Sequence, residues 1–256
     1  MAETDQALAE RIAAEAGAAL LALRDDVDVS ADGALLRREG DRRSHELIVA
    51  ALTAARPGDA ILSEEGQDDP ARLDAERVWI VDPLDGTREY SERAGDGWRD
   101  DWAVHIALWR RGSGLDAGAV GLPARHIVFG TASRASLSTV RWGDRPIRLA
   151  VSRSHPPPIV EKIASLGSFE FVAMGSAGVK AMAVVTGEVD AYLHDGGQYE
   201  WDSAAPMAVA AAAGCVTTRL DGSALSYNRE SPWLPDLFIS VPSIARELAE
   251  VVHRAL

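Results

Sequence analysis

The chain of 256 residues has one cysteine, Cys215, so no internal disulfide framework is available to it. Its Ala-rich apolar setting points to a buried structural thiol and not to a nucleophile. Long hydrophobic runs are also missing. The longest, such as Ala204 to Cys215, falls short of the roughly 20 residues that cross a bilayer. Met1 to Leu23 carries acidic residues in place of a basic leader, so the expectation is a cytoplasmic protein without a membrane partner. Positive charge is scarce too. With 26 basic against 39 acidic residues the net charge is -13, which argues against nucleic acid bound through a broad basic surface. Small anionic substrates remain open, but an acidic chain that handles phosphate esters needs bound cations to reverse the field locally.

Several phosphate and hydrolytic signatures are absent. There is no G-x-x-x-x-G-K-[ST] loop and no G-x-G-x-x-G opening a helix, so triphosphatase and dinucleotide readings lack their motifs. No G-x-S-x-G elbow occurs, and the six histidines show no H-E-x-x-H or paired spacing that would build a zinc site. Internal repeats and low-complexity linkers are lacking as well.

What is there reads as ordinary globular protein, with 47% hydrophobic and 25% charged residues. Leu8, Ile12, Ala16, Leu20 and Leu23 fall at helical spacing within 6–23, and 45–55 resembles a second helix. Between them, 27–41 mixes Gly, Asp and Arg without clear periodicity and reads as a mobile loop or hairpin. Val78 to Val81 is a short strand expected to end at Asp82-Pro83, and 103–109, 115–120 and 127–131 are further strands. From 148 onward, strands and helices alternate. The expectation is a layered α/β (α+β) protein of two closely packed parts, 1–145 and 146–256, with the site between them.

Asp82 and Asp85 flank Pro83-Leu84 directly after the buried strand. Two hard oxygen ligands with an exposed carbonyl between them suit Mg²⁺. Gly86 and Thr87 add backbone amides for a phosphate and a hydroxyl for a water. Asp-Pro and Asp-Gly are also ordinary turn residues. Glu64-Glu65 closes another strand-like run, where adjacent carboxylates repel unless a cation bridges or solvent screens them. Asp202 is either a further ligand or the N-cap of a helix from Ala204 to Ala213, with Trp201 as core packing. The chain has only two lysines, Lys162 and Lys180, among 26 basic residues. Lys180 follows Gly175-Ser176 at a helix start, where its compact ammonium suits a phosphate or simply faces solvent. His155 in Ser152-Arg153-Ser154-His155 is a candidate anion contact or an exposed loop residue.

Taken together, Ser63-Glu64-Glu65, Asp82-Pro83-Leu84-Asp85-Gly86-Thr87, Gly175-Ser176 and Trp201-Asp202-Ser203-Ala204-Ala205-Pro206 resemble the inositol monophosphatase superfamily over nearly the whole chain. Arg88-Glu89-Tyr90, Val151 to His155 and Leu225 to Ser231 are similar to its CysQ-type 3'(2'),5'-bisphosphate nucleotidase branch. The resemblance implies an αβαβα five-layer sandwich, two or three Mg²⁺ ions and inhibition by Li⁺. It implies hydrolysis of the 3'-phosphate of 3'-phosphoadenosine 5'-phosphate to AMP and phosphate, a clean-up step in sulfur assimilation. Inositol-1-phosphate or fructose-1,6-bisphosphate is the alternative substrate, a non-catalytic phosphate-binding regulator the remote alternative, and a homodimer the assembly by analogy.

By the same resemblance, Glu65, Asp82 and the Leu84 carbonyl hold one ion, and Asp82, Asp85 and Asp202 a second. Thr87 with Glu65 positions the water, and the Gly86 and Thr87 amides bind the phosphate to be cleaved. His155, Ser176, Lys180 and Arg229 meet the second phosphate or the nucleoside. Asp41 and Glu64 are candidates for a third metal position or for assisting the water. The stretch from Ala34 to Asp41 departs from the family's Lys, Ser-Pro-Val-Thr, Ala-Asp pattern in all but Asp41.

Overall fold

Leu8, Ile12, Ala16, Leu20 and Leu23 are all buried, and together they form the inner stripe of helix α1 (Asp5–Asp25). The Thr4 hydroxyl caps this helix by accepting from the Ala7 N–H at 3.1 Å. A computed structural model describes residues 3–256 of the chain. A single turn, α2 (Val27–Ser30), follows, and then a long helix, α3 (Gly33–Ala55).

The stretch 27–41, expected to be a mobile loop or hairpin, is therefore helical. Asp32 caps α3 through its side chain, which accepts from the Ala34 and Leu35 amides, and Leu36, Gly40, Ser44, Ile48 and Leu52 make its buried stripe. Gly40 obscured that stripe in the sequence. A Cβ there would lie 2.8 Å from the Tyr90 ring and 3.0 Å from Leu84, so a tertiary contact, not local flexibility, selects glycine.

The next segments are β1 (Ala60–Ser63), β2 (Arg77–Asp85), the one-turn α4 (Thr87–Tyr90), the small hairpin β3 (Arg93–Ala94) and β4 (Gly97–Trp98), then β5 (Ala103–Arg110), β6 (Gly114–Leu122) and β7 (Ile127–Gly130). They form a sheet in the order β1-β2-β5-β6-β7, with β1 parallel to β2 and the rest antiparallel. The chain continues through β8 (Ile147–Ser152), α5 (Pro158–Ala164), β9 (Phe169–Met174), α6 (Ala177–Val185), β10 (Ala191–Tyr199), α7 (Glu200–Ala212), β11 (Val216–Thr218), β12 (Trp233–Ser240) and α8 (Ala245–Ala255). Its strands form a second sheet in the order β11-β12-β10-β8-β9.

Helices α1 and α3 cover one face of the first sheet, while α6 and α7 lie between the two sheets and α5 with α8 close the far side. The result is the five-layer αβαβα sandwich. Two apolar clusters fill it, one beneath α1 and α3 and one running through the central helices to the second sheet. No helix among the described residues is long and apolar enough to cross a membrane.

Candidate metal and active site

Along β2, Val78 and Ile80 pack into the cluster of the central helices, whereas Trp79 and Val81 pack beneath α1 and α3. Strict alternation would send Asp82 and Asp85 to opposite faces. Pairing with β5 avoids this, because Asp82 stands opposite His105 and Asp85 opposite Ala103, three steps on one strand against two on the other. This is a β-bulge. Pro83 has no N–H to contribute to a ladder and sits within it, so the strand expected to stop at Asp82 continues to Asp85. The extra residue returns Asp85 to the face of Asp82 and turns Leu84 into the opposite cluster. Asp82 Oδ1 accepts from the Leu84 N–H at 3.0 Å and so holds the bulge closed.

The central helix layer supplies the third carboxylate. Helix α7 starts at Glu200, earlier than expected, so Asp202 is its third residue and Tyr199 its N-cap. Asp202 reaches back to accept the Tyr199 N–H at 2.6 Å, satisfying one of the open amides of the first turn. Asp82, Asp85 and Asp202 can each present a carboxylate oxygen within 4.8 Å of the others.

Such crowding is visible in their acidities. Burial, then Glu64 and the other two aspartates, pushes Asp82 well above the usual carboxylate range. Burial and Asp202 push Glu64 up to about 7, and burial with Asp85 pushes Asp202 up to about 6. Hard oxygen donors held together against their own repulsion are the donor set that a divalent cation neutralises. Within the glutamate pair, Glu64 is the member whose acidity responds to Asp202, Asp82 and Asp85, although much of the residue reaches solvent. Glu65 faces Asp41 instead, and burial together with Glu65 raises Asp41 to about 7.

Asp85 behaves differently. Burial opposes its charge, yet His105, Lys180 and Ser176 hold its carboxyl down at about 2. Asp85 Oδ2 accepts from the Ser176 hydroxyl and from the Gly178 N–H, the latter at 2.8 Å, so it serves as an acidic cap on α6. His105 Nε2 lies 3.2 Å from the same oxygen, and its Nδ1 lies 3.1 Å from the Trp201 carbonyl. Gly178 makes room for this ring, since a Cβ there would be 2.2 Å from Nε2. Sequence reasoning passed over His105. Its signal was a polar residue in the middle of an apolar strand, where an unpaired side chain is costly.

Of the residues expected at a second phosphate, Ser176 and Lys180 lie together beside Asp85, and His155 and Arg229 are on exposed loops. The Ser176 hydroxyl is engaged with Asp85. Lys180 is fully enclosed below the cluster, donating to the Gly175 and Ser176 carbonyls at 3.3 and 2.5 Å, with the Tyr192 ring 5.2 Å away. Burial lowers its pKa, against the pull of Asp85. His155 is exposed in the bend after β8. Arg229 is exposed, and its backbone is fixed from both sides: its N–H donates to Glu200 at 2.9 Å and its carbonyl accepts from Arg72 at 2.9 Å. Glu200 and Arg72 were not foreseen. Both are buried and hold the loop around Asn228 through hydrogen bonds from elements distant in sequence.

Thr87 opens the single turn α4 and donates to the Leu84 carbonyl at 3.0 Å, with Asp41 Oδ1 at 3.3 Å. The first part of helix α3, up to Asp41, was expected to be irregular, and it is what delivers Asp41 to that hydroxyl.

A sequence model described as the inositol monophosphatase family matches residues 1–255. The chain is 49% identical to the 3'-phosphoadenosine 5'-phosphate phosphatase of Mycobacterium leprae (strain TN), with 98% of this chain and 94% of that protein covered. It is 31% identical to the 3'(2'),5'-bisphosphate nucleotidase CysQ of Escherichia coli (strain K12), over 90% of this chain and 97% of the relative. Among solved structures, CysQ from Bacteroides thetaiotaomicron superposes with a TM-score of 0.75 at 27% identity, covering 93% of this chain and 97% of the other.

Proposed function

The chain belongs to the inositol monophosphatase family, and we propose that it is a magnesium-dependent phosphatase that hydrolyses the 3'-phosphate of 3'-phosphoadenosine 5'-phosphate to AMP and phosphate. The observation that carries the metal-assisted chemistry is the convergence of Asp82, Asp85 and Asp202 from two layers of the sandwich onto one point. The nucleotide substrate rests on the relatives at 49% identity that bear that name. Residues 1–145 then contribute the glutamates and Asp82 to Thr87, and residues 146–256 contribute Asp202 and the loop of Arg229, with the site at their junction.

Asp82, Asp85 and Asp202 would hold magnesium together with the Leu84 carbonyl and Glu64. In this proposal Glu64 takes the place first expected for Glu65, because its acidity responds to all three aspartates whereas Glu65 acts on Asp41. The chemistry such a site would gain from magnesium is a water of lowered pKa and neutralised charge on the leaving oxygen, so no covalent nucleophile would be required. The Thr87 hydroxyl has one hydrogen. Directing it to Leu84 or Asp41 leaves its lone pairs free to accept from a water and aim that water at phosphorus. The Gly86 and Thr87 amides would bind the phosphate to be cleaved, and the Asp85 cap on α6 keeps that part of the wall fixed.

Phosphate release with Mg²⁺ should be compared for 3'-phosphoadenosine 5'-phosphate, inositol-1-phosphate and fructose-1,6-bisphosphate, with Asp82→Asn as the inactive control. Preference for the nucleotide supports the assignment. Preference for inositol or sugar phosphate keeps the mechanism and overturns the substrate, and no release from any of them overturns the activity.

A further inference from the structure

Beside the carboxylates the chain builds an aromatic stack that nothing in the phosphate chemistry uses. Tyr199 and Trp201 lie face to face, with ring centroids 4.7 Å apart and planes at 10°. Trp201 is half-buried against the central core, while Tyr199 is 46% exposed, so the stack runs from the core outward and leaves nearly half of Tyr199 in solvent. Trp233 is 47% exposed and pairs with Tyr199 across β10 and β12. Two of the few large apolar side chains left in solvent therefore sit together at this one corner.

The stack is tied to the site by backbone. The Tyr199 N–H donates to Asp202 at 2.6 Å, and the next residue, Glu200, holds the Asn228 and Arg229 amides at 2.7 and 2.9 Å. One short segment thus fixes a carboxylate of the metal cluster, an exposed aromatic face and the backbone of an exposed arginine. Every nucleobase has a π-face that extends such a ladder by one ring, and a sugar or inositol has none.

Resting on the nucleotide reading above, we propose that Tyr199, backed by Trp201, is the surface on which the base of the substrate stacks, and that it sets the preference for nucleotides over base-free phosphate esters. The ring acts on binding and not on the phosphoryl step. Its removal is therefore felt mainly in KM, in proportion to the stacking lost.

The test compares wild type, Tyr199→Ala and Tyr199→Trp on 3'-phosphoadenosine 5'-phosphate and on fructose-1,6-bisphosphate. For Tyr199→Ala, the ratio of kcat/KM for the nucleotide over the sugar phosphate should fall about 5- to 150-fold, chiefly through KM, the range expected for one lost base–aromatic stack. Tyr199→Trp should restore the ratio. An unchanged ratio overturns the proposal, including the case in which both substrates lose equally because the start of α7 has shifted. A second measurement separates this inference from the assigned activity: quenching of intrinsic fluorescence by AMP against ribose 5-phosphate. Were the wild type inactive on the nucleotide, tighter binding of AMP that disappears in Tyr199→Ala would still uphold the stacking face, and equal binding of the two ligands would overturn it.

Discussion

His105 Nδ1 lies 3.1 Å from the carbonyl oxygen of Trp201, joining the middle of β5 to the first turn of α7. A carbonyl can only accept, so Nδ1 carries the hydrogen and the tautomer is settled on that side. The other nitrogen abuts Asp85, and Gly178 closes over it. The fully buried ring therefore sets the spacing between the carboxylates of the first sheet and Asp202, one residue beyond Trp201.

From this position His105→Ala should lower kcat about 10- to 100-fold and raise the Mg²⁺ concentration for half-maximal activity, the usual scale for removing a group that orients metal ligands. His105→Asn keeps a donor for the Trp201 carbonyl and should recover part of the loss. Circular dichroism would show that the alanine variant stays folded. A variant with wild-type kcat and Mg²⁺ dependence would dismiss the positioning role.

The glutamate pair gives a second test. Glu64 responds to the charges of all three aspartates, while the charge of Glu65 acts on Asp41, so Glu64→Gln should reduce kcat/KM at least about tenfold more than Glu65→Gln, since charge on a cation ligand outweighs charge one position removed. Steady-state assays at saturating Mg²⁺ decide between them. A larger loss in Glu65→Gln would return the ligand role to Glu65.

Acid stability gives a third. Asp5, at the start of α1, is bonded by Arg56 at 2.8 Å, Arg77 at 3.0 Å and Arg110 at 3.1 Å, drawing α1, α3, β2 and β5 together. Burial opposes its charge, but the three guanidinium groups hold its carboxyl down at about 2. The unfolded carboxyl titrates near 3.9. Between these values the unfolded chain binds the extra proton, so stability rises with pH there. The contribution of Asp5 is complete above roughly pH 5 and is lost as pH falls through about 2. Asp5→Asn should cost about 1.5–3 kcal/mol at neutral pH and much less near pH 2, as read from urea unfolding at both values. An equal cost at both would show that charge is not the cause.

Much of the layering was legible because it is written in local pattern. Leu8 to Leu23 repeats at helical spacing, and after residue 147 strands and helices alternate with turns between them, so chain order alone implies layers. The motif carboxylates were legible for a related reason: Asp82, Asp85 and Asp202 are unusual beside the apolar runs that carry them.

Other features were not legible, because the residues that cause them are distant in sequence. Gly40 reads as a helix breaker until Tyr90 and Leu84 are seen to fill the space a side chain would need. Pro83 reads as a strand end until β5 shows that one extra residue on β2 lets both aspartates share a face. Lys180 reads as a phosphate contact until its ammonium is found committed to the Gly175 and Ser176 carbonyls below the site. The amino-acid sequence by itself determined which elements form and which side chains have the chemistry to bind a cation and a phosphate. Only the tertiary structure decided that Glu64 responds to the charges of the aspartates, that His105 spans them, and that Tyr199 is left nearly half in solvent, because each depends on through-space packing between layers.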